Sequence, residues 1–407
     1  MKNISLKEIQ KTAFDYFMNY TNFNPESKGF GLTVDATHKL QKASIAATGF
    51  MLSSLVIGVE NNYISRHDAY EKALMTLKTL VNHVDHKFGF FAHFLDIETG
   101  DRYHKCEYST IDTALCLCGV LTVDAYFQDE EIAQLSTIIF DRIDWEILFH
   151  QYENVPVLYM SYNPDKDGDY VDKKPGFIHQ WDMFAEQLMM YVMIGASKYS
   201  HHAKALYEGF ERIKGKYQNF EYIHSPGNAL FVYQFPMAWL DLKEVVDQNG
   251  INWFENAKNA TLAHQACSIF YQHRFRTHNQ YFFGFTASDT PKGYRVFGAL
   301  PNRMNRIDSD GTVAPYGCVG SIIFTPDICK ASIKEMGKIK GLWGPYGFYD
   351  AFNLEHNQLW ISDHYISIDK GLEMLMINAY LTQDVYKAFM SHQSIQIGME
   401  VIGWKRK

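Results

Sequence analysis

Helical periodicity runs along almost the whole chain, and the helices that it predicts are of two alternating kinds. Five segments are apolar on nearly every side, namely 43–59, 109–127, 183–196, 317–324 and 370–380. Five others carry apolar residues on one face only, namely 65–85, 129–142, 202–217, 251–271 and 326–338. A helix that is apolar all round is buried on every side, whereas an amphipathic helix faces water. The alternation predicts an all-α fold with an inner and an outer ring of helices.

The chain is predicted to form a single domain over residues 1–407. Its length alone would allow two or three domains, but no linker rich in Pro, Gly or Ser and no run of charge divides it. A solenoid of helical repeats would show a fixed sequence period, and we find none. Polar loops recur between the helices, and in a barrel such loops gather at one end and form a groove.

Charge and composition restrict the partners. The net charge is −8, and the only basic run is the last three residues, Lys405, Arg406 and Lys407, so nucleic acid and an anionic membrane are poor partners. Aromatic residues make up 15% of the chain, enough to line a sugar groove as well as a core. The N-terminus lacks the apolar segment of a signal peptide, which favours a cytoplasmic location, or a periplasmic one if a signal has been removed. The oligomeric state is not indicated.

Two short stretches combine carboxylates with aromatic and hydroxyl residues where an apolar helix is predicted to begin. They read CEYSTIDTAL at 106–115 and FIHQWDMFAE at 177–186. Glu186, placed four residues into an apolar helix, should be partly desolvated and act as a general acid. Asp112, in a first helical turn, should be kept ionised by backbone N–H groups and act as a general base. Glu107 is the reserve candidate for the base or for orienting water.

Nine segments occur in an order that resembles a known family. They are ASIAATGF, GFFAHFLDIETG, EYSTIDTAL, DWEIL, ALFVYQFPMAWLD, FTASDTPKGY, DGTVAPY, LWGPYGFYDAFN and MSHQSIQIGME, spread over about residues 30–400. Together they resemble the bacterial glucoamylase-like family that contains the endo-β-1,2-glucanases of glycoside hydrolase family 144. The resemblance implies an (α/α)6 barrel, hydrolysis of β-1,2-glucan and an inverting mechanism. An acid at the position of Glu186 agrees with the family segments.

Some segments depart from the family pattern near the expected groove. The sequence YQFPMAWLD at 233–241 lacks a histidine that relatives carry, and YFFGFTASDTP at 281–291 and SIDKGL at 367–372 also differ. These changes are expected to affect the length of the substrate and the linkage that is cleaved more than the catalytic chemistry.

Residues predicted to bind substrate lie in loops or at helix ends and offer an aromatic face or a hydrogen-bonding group. They are His93, His179, Trp181, Asp182, Tyr233, Gln234, Trp239, Asp289, Trp343, Tyr346 and Phe352.

The chemistry predicted here needs no metal and no cofactor. No histidine pair has metal-ligand spacing with an acid partner, and nucleotide-binding fingerprints are absent. The acid-rich run at 165–169 lacks the bidentate glutamate of a calcium loop and is predicted to be a solvated turn. Three functions remain open beside endo-hydrolysis: transglycosylation, exo-acting cleavage on the same site, and glycan binding by an inactive site.

Overall fold

The computed structural model describes residues 4–166, 174–356 and 358–407, and helices dominate it. Most of the acid-rich run at 165–169 lies outside the described residues. Within them there are fourteen α-helices: α1 Leu6–Tyr20, α2 Ile45–Glu60, α3 Arg66–Asn82, α4 Thr110–Phe127, α5 Glu130–Asp141, α6 Leu188–Ala196, α7 Ser200–Gly209, α8 Phe231–Gln234, α9 Trp253–Tyr271, α10 Pro315–Val319, α11 Pro326–Met336, α12 Ser367–Leu381, α13 Asp384–Ser391 and α14 Gln393–Val401.

Short strands occupy the loops between the helices, which the all-α prediction omitted. They are β1 Thr33–Val34, β2 Lys42–Ser44, β3 His86–Lys87, β4 Phe90–Phe91, β5 Phe94–Asp96, β6 Tyr108–Ser109, β7 Phe149–Tyr152, β8 Val155–Tyr162, β9 Phe177–Gln180, β10 Lys214–Tyr217, β11 Phe220–Ile223, β12 Val245–Val246, β13 Ala287–Ser288, β14 Arg295–Val296, β15 Trp343–Gly344, β16 Gly347–Phe348, β17 Phe352–His356, β18 Gln358–Ile361 and β19 Lys405–Arg406. All the strand pairs are antiparallel, and the largest sheet has four strands, with β8 between β6 and β7 and also paired to β9.

The helices that are apolar all round pack on one another, as the hydrophobic pattern predicts. Helix α2 packs on α4 and α12, and α4 also packs on α6. The α2–α4 contact brings the two backbones together, because a Cβ added at Gly119 would lie 2.2 Å from the carbonyl oxygen of Gly49. By length and composition α4 is able to cross a bilayer, but 72% of it is buried here, as in the core helix of a folded domain.

The amphipathic helices lie outside this core. Helices α3, α5 and α7 each pack on the apolar helix that precedes them in the chain. The polar residue at the start of several helices caps the first turn, as Ser44, Ser65 and Ser109 do for α2, α3 and α4. Successive helices therefore alternate between core and surface, in agreement with the two kinds of hydrophobic pattern.

Some helix predictions are corrected by the structure. The sequence also predicts a helix over 236–247, but this segment is not an α-helix: it holds a 3₁₀ turn at Pro236–Ala238 and then runs to β12. The predicted helix 182–199 begins only at Leu188, because residues just before it run extended beside Glu211, whose carbonyl oxygen accepts the backbone N–H of Phe184. Helix α14, which packs on α6, was not predicted.

Candidate active site

A cavity of about 710 Å³ opens among the loops, and residues of both acid-bearing stretches line it. Seven of the residues that the sequence indicated lie in its wall: His93, Glu107, Asp112, His179, Trp181, Glu186 and Asp289. Its volume is within the range of about 300–1,000 Å³ that is typical of small-molecule sites. The predicted acid, base and reserve carboxylate therefore share one cavity.

The four-stranded sheet brings the two stretches together. Strand β6 leads into α4, strand β9 leads toward Glu186, and both strands pair with β8. A side-chain hydrogen bond locks this arrangement, since the indole N–H of Trp181 donates to the Thr110 hydroxyl oxygen at 3.0 Å. That hydroxyl in turn donates to the Met160 carbonyl oxygen at 2.7 Å. Trp181 is only 4% exposed, so it serves the cavity chiefly as a fixed part of its wall.

A histidine joins the two carboxylates of the first stretch. His93 Nδ1 lies 2.7 Å from Glu107 Oε1, and His93 Nε2 lies 3.6 Å from Asp112 Oδ1. Burial of the imidazole opposes its positive charge, but Asp112 and Glu107 outweigh that effect and raise the pKa of His93 to about 9. The histidine is therefore an imidazolium at neutral pH, which donates a hydrogen bond to Glu107 and forms an ion pair with Asp112.

Asp112 lies in the first turn of α4, as predicted, but its electrostatics differ from the prediction. Its Oδ2 accepts the Ser109 hydroxyl at 2.6 Å. Burial raises the pKa of Asp112, and the charges of His93 and the Ser109 hydrogen bond only partly oppose that rise. The charge of His93, and not the backbone N–H groups of the helix start, is thus the main influence that lowers the pKa of this carboxyl. The pKa of Glu107 moves the other way, because the hydrogen bond and charge of His93 lower it more than burial raises it.

Glu186 precedes α6 instead of lying inside it, yet it has the property that the sequence predicted. Burial raises the pKa of Glu186 to about 7, and the negative charge of Asp112 adds to the rise. At neutral pH this carboxyl is protonated in about half of the molecules, whereas an ordinary glutamate is almost fully ionised. A carboxyl of this kind can donate a proton to a leaving group.

The facing wall was not predicted apart from Asp289. Lys42 pairs with Asp35 at 2.6 Å, and its ammonium lies 3.8 Å from the ring centroid of Phe94. The Phe94 ring also stacks on His93, with centroids 3.7 Å apart. Little in the sequence indicated these residues, because they lie in separate parts of the chain that only the three-stranded sheet of β1, β2 and β5 brings together.

A second group of acids begins with Asp289 in the cavity wall and continues into buried residues. Asp289 lies 3.5 Å from His364 Nε2, and its backbone N–H donates to Asp350 Oδ2 at 2.7 Å. Burial raises the pKa of Asp350, and burial together with the charge of Asp350 raises the pKa of its neighbour Asp369 well above the ordinary range. The pair therefore retains a proton. Nearby, Lys370 forms a buried ion pair with Glu373.

Four residues predicted to bind substrate are core residues. Tyr233, Gln234, Trp239 and Phe352 are at most 1% exposed, and none of them lines the cavity. Gln234 donates to the carbonyl oxygen of Gly317 and to Ser321, and the Trp239 indole donates to Ser53 at 2.8 Å. Tyr233 donates to Asn228 at 2.7 Å. These internal hydrogen bonds hold the polar side chains in the core, although the buried Gln234 Oε1 has no hydrogen-bond partner among the described residues.

Three further predicted residues also lie away from the cavity. Trp343 packs edge-on against Phe348, and Tyr346 packs against a group of tyrosines that includes Tyr365. The side chain of Asp182 accepts from Gln180 at 3.4 Å. Each of the three side chains thus contacts other residues of the protein, and none of them lines the cavity.

No group of three or more His, Cys, Asp or Glu side chains in the described ranges has an arrangement that would hold a metal ion.

Sequence and structure comparisons agree with this architecture. The sequence model of the Glycoamylase family, described as "Putative glucoamylase", matches residues 178–393. A protein of the same description from Bacteroides uniformis has a solved structure with a TM-score of 0.84, at 24% identity, covering 100% of this chain and 99% of that one. The endo-β-1,2-glucanase from Chitinophaga pinensis, solved with sophorotriose and glucose, has a TM-score of 0.83 at 22% identity and covers 99% of each chain.

A curated relative is known from Parabacteroides distasonis, an exo β-1,2-glucooligosaccharide sophorohydrolase (non-reducing end). It is 26% identical over an alignment of 393 residues, and the match covers 88% of this chain and 52% of the relative. The chain thus spans about half the length of the curated protein that it matches. The solved structures establish a shared helical fold, and the family model covers more than half of the chain. The resemblance found in the nine segments is confirmed, and the chain belongs to the Glycoamylase family.

Proposed function

We propose that this protein is a glycoside hydrolase that cleaves β-1,2-glucan or sophoro-oligosaccharides by an inverting acid/base mechanism. One observation carries the proposal. Glu186, with a pKa of about 7, shares a cavity with Asp112, which the His93 imidazolium helps to keep ionised. Glycoside hydrolysis needs such a pair, one carboxyl protonated and one ionised.

Each group then has a role. Glu186 donates its proton to the glycosidic oxygen as the bond to the anomeric carbon breaks. Asp112 accepts a proton from the water that attacks the opposite face of the sugar, either directly or through a sugar hydroxyl. Glu107 and His93 orient Asp112, through the 2.7 Å and 3.6 Å contacts of the imidazole. In an inverting enzyme the carboxyls are about 6.5–9.5 Å apart, which leaves room for the water.

The helix contacts support a single (α/α)6 barrel over residues 1–407. In this arrangement α2, α4, α6, α8, α10 and α12 form the inner ring, and α3, α5, α7, α9, α11 and α1 form the outer one. Each outer helix packs on its inner neighbour, with α1 packing on α12, and α12 packs on α2 to close the ring. The loops at the cavity end supply the catalytic groups, and α13 and α14 pack against α4 and α6.

The linkage is proposed from the relatives. The proteins from Chitinophaga pinensis and Parabacteroides distasonis are named for action on β-1,2-linked glucose. One is named as an endo enzyme and the other as an exo enzyme, so the mode of cleavage varies among relatives of this chain. We take endo cleavage as the primary proposal and exo release of sophorose as the second candidate, which the curated relative favours.

A product time course with several glucans tests the proposal. We expect cleavage of β-1,2-glucan, little or no cleavage of cellulose, laminarin or starch, and a rate nearly independent of sodium chloride because the substrate is neutral. Mixed product lengths at early times indicate endo action, sophorose alone indicates exo action, and products longer than the substrate indicate transglycosylation. Starch or laminarin cleaved as fast as β-1,2-glucan refutes the linkage, and binding without turnover indicates an inactive glycan-binding site.

A further inference from the structure

Tyr294 is an aromatic residue of the cavity that the proposed mechanism does not use. It follows the tight turn between β13 and β14 and lies in the cavity wall together with its neighbour Gly293. Its side chain is 55% exposed, although most large apolar side chains of the chain are buried. Within the described residues it has no aromatic stacking partner and no hydrogen bond. An open ring in a cavity of this size leaves a face for a ligand to cover.

The position of Tyr294 is fixed by the hairpin that carries it. The backbone of Thr290 exchanges hydrogen bonds with Gly293, and the Thr290 hydroxyl donates to the Gly293 carbonyl oxygen at 2.8 Å. Gly293 has a φ of +92°, which permits the tight turn. At the base of the hairpin the Asp289 backbone N–H donates a hydrogen bond to Asp350, which connects the turn to the buried acids.

The tyrosine faces acids from several segments of the chain. Although 55% of the surface of Tyr294 is accessible, the residue is enclosed by the walls of the cavity, and this enclosure together with the negative charges of Asp369, Asp350, Asp35 and Asp112 raises the pKa of Tyr294 well above its usual value. Its hydroxyl is therefore protonated at every working pH and can donate a hydrogen bond. Those acids come from α4, from α12 and from two loops, and two of them, Asp35 and Asp112, line the same cavity as Tyr294.

We propose that Tyr294 is a substrate-binding residue whose ring stacks on the apolar face of a glucose unit and holds it over the catalytic carboxyls. This inference rests on the proposed function and deepens it. The C–H groups on one face of a pyranose are apolar and match an aromatic ring in size, while the equatorial hydroxyls remain free for Asp289, His364 and the phenol of Tyr294. Stacking also removes the ring surface from water.

Binding measurements separate the ring from the hydroxyl. In a Glu186→Gln background, which prevents turnover, sophoro-oligosaccharides of defined length are titrated by calorimetry. We expect Tyr294→Ala to weaken binding about tenfold, and Tyr294→Phe, which retains the ring, to weaken it by no more than about threefold. Val296→Ala is the matched control, because Val296 is 51% exposed on the same hairpin and does not line the cavity.

Kinetics of the otherwise unchanged chain complete the test. We expect Tyr294→Ala to raise KM by a similar factor and Val296→Ala to leave KM and kcat as they are. Equal affinity of Tyr294→Ala and the parent overturns the inference, as does an equal loss in Tyr294→Phe and Tyr294→Ala, which assigns the effect to the hydroxyl. A wild-type chain that neither binds nor cleaves these oligosaccharides refutes the proposed function, and the inference with it.

Discussion

Replacing Glu186 by Gln should abolish turnover and at the same time stabilise the protein above neutral pH. The pKa of this carboxyl is about 7 in the folded chain, against 4.5 for an ordinary glutamate. Between those pH values the unfolded chain has lost the proton and the folded chain still holds it. The folded state therefore loses stability as the pH rises from about 4.5 through 7. Gln has no proton to lose, so the variant avoids that loss.

The size of the effect follows from the pKa difference. At about 1.4 kcal/mol for each tenfold change, a rise from 4.5 to about 7 corresponds to about 3 kcal/mol of unfolding free energy at pH 8. This is an upper value, because Glu186 is only partly buried by its accessible surface. Turnover should fall by about three orders of magnitude, which is within the range for loss of a general acid.

Urea unfolding at 25 °C and steady-state kinetics measure the two effects. The free energy of unfolding is compared between Glu186→Gln and wild type at pH 4 and at pH 8, so that any pH-independent effect of the amide cancels. Glu98→Gln, at an exposed glutamate, is the control and should give the same difference at both pH values. If Glu186→Gln gains no stability at pH 8 relative to pH 4, the carboxyl is not held protonated. Retention of more than a tenth of wild-type activity removes it from the role of acid.

Four other predictions follow from the same geometry. Asp112→Asn should lower kcat by about three orders of magnitude while far-UV circular dichroism stays unchanged, and a loss of less than tenfold would exclude Asp112 as the base. In wild type, kcat/KM should decline above pH 7, by about tenfold for each further pH unit, as Glu186 loses its proton; a flat profile from pH 6 to 9 would contradict this. Activity should survive dialysis against a chelator, and loss that one divalent ion restores would show a metal requirement. Gly119→Ala should destabilise the chain by several kcal/mol in urea unfolding, because the new methyl group meets the Gly49 backbone; wild-type stability would mean that α2 and α4 can separate at little cost.

The family, which is confirmed, and the choice of candidate acids, which stays a prediction, both depended on local signals. Glu107, Asp112 and Glu186 lie next to segments with strong helical or strand character, and the sequence identified the family through those segments. Local sequence signals also predicted the start of α4 correctly, since Ser109 caps the helix and Asp112 follows in its first turn. The pairing of β6 and β9 with β8, which joins these acids, has no such local signal.

The failures involve contacts between distant parts of the chain. Trp239 was assigned to the groove as an aromatic residue in a loop or at a helix end. Its indole N–H instead donates a hydrogen bond to Ser53, which is 186 positions away in the chain. Tyr294 was not predicted as a site residue, and only the fold places it in the wall of the cavity that Asp112 also lines. An aromatic or amphipathic residue suits either a core or a groove, so its sequence neighbours do not decide between them.

The arrangement of cations explains which carboxyl keeps the proton. Asp35 pairs with Lys42, Asp289 lies beside His364, and Glu107 and Asp112 share the imidazolium of His93. Glu186 has no cationic partner among the described residues, and the nearest charge that acts on it is the negative one of Asp112. A proton entering this cavity is therefore accommodated best by Glu186, because each of the other carboxylates named here has a basic side chain beside it. The division of labour between acid and base thus follows from the lack of such a neighbour at Glu186 in the described ranges, and a substitution that placed a lysine or arginine beside Glu186 would lower the pKa of Glu186 and remove its proton at neutral pH.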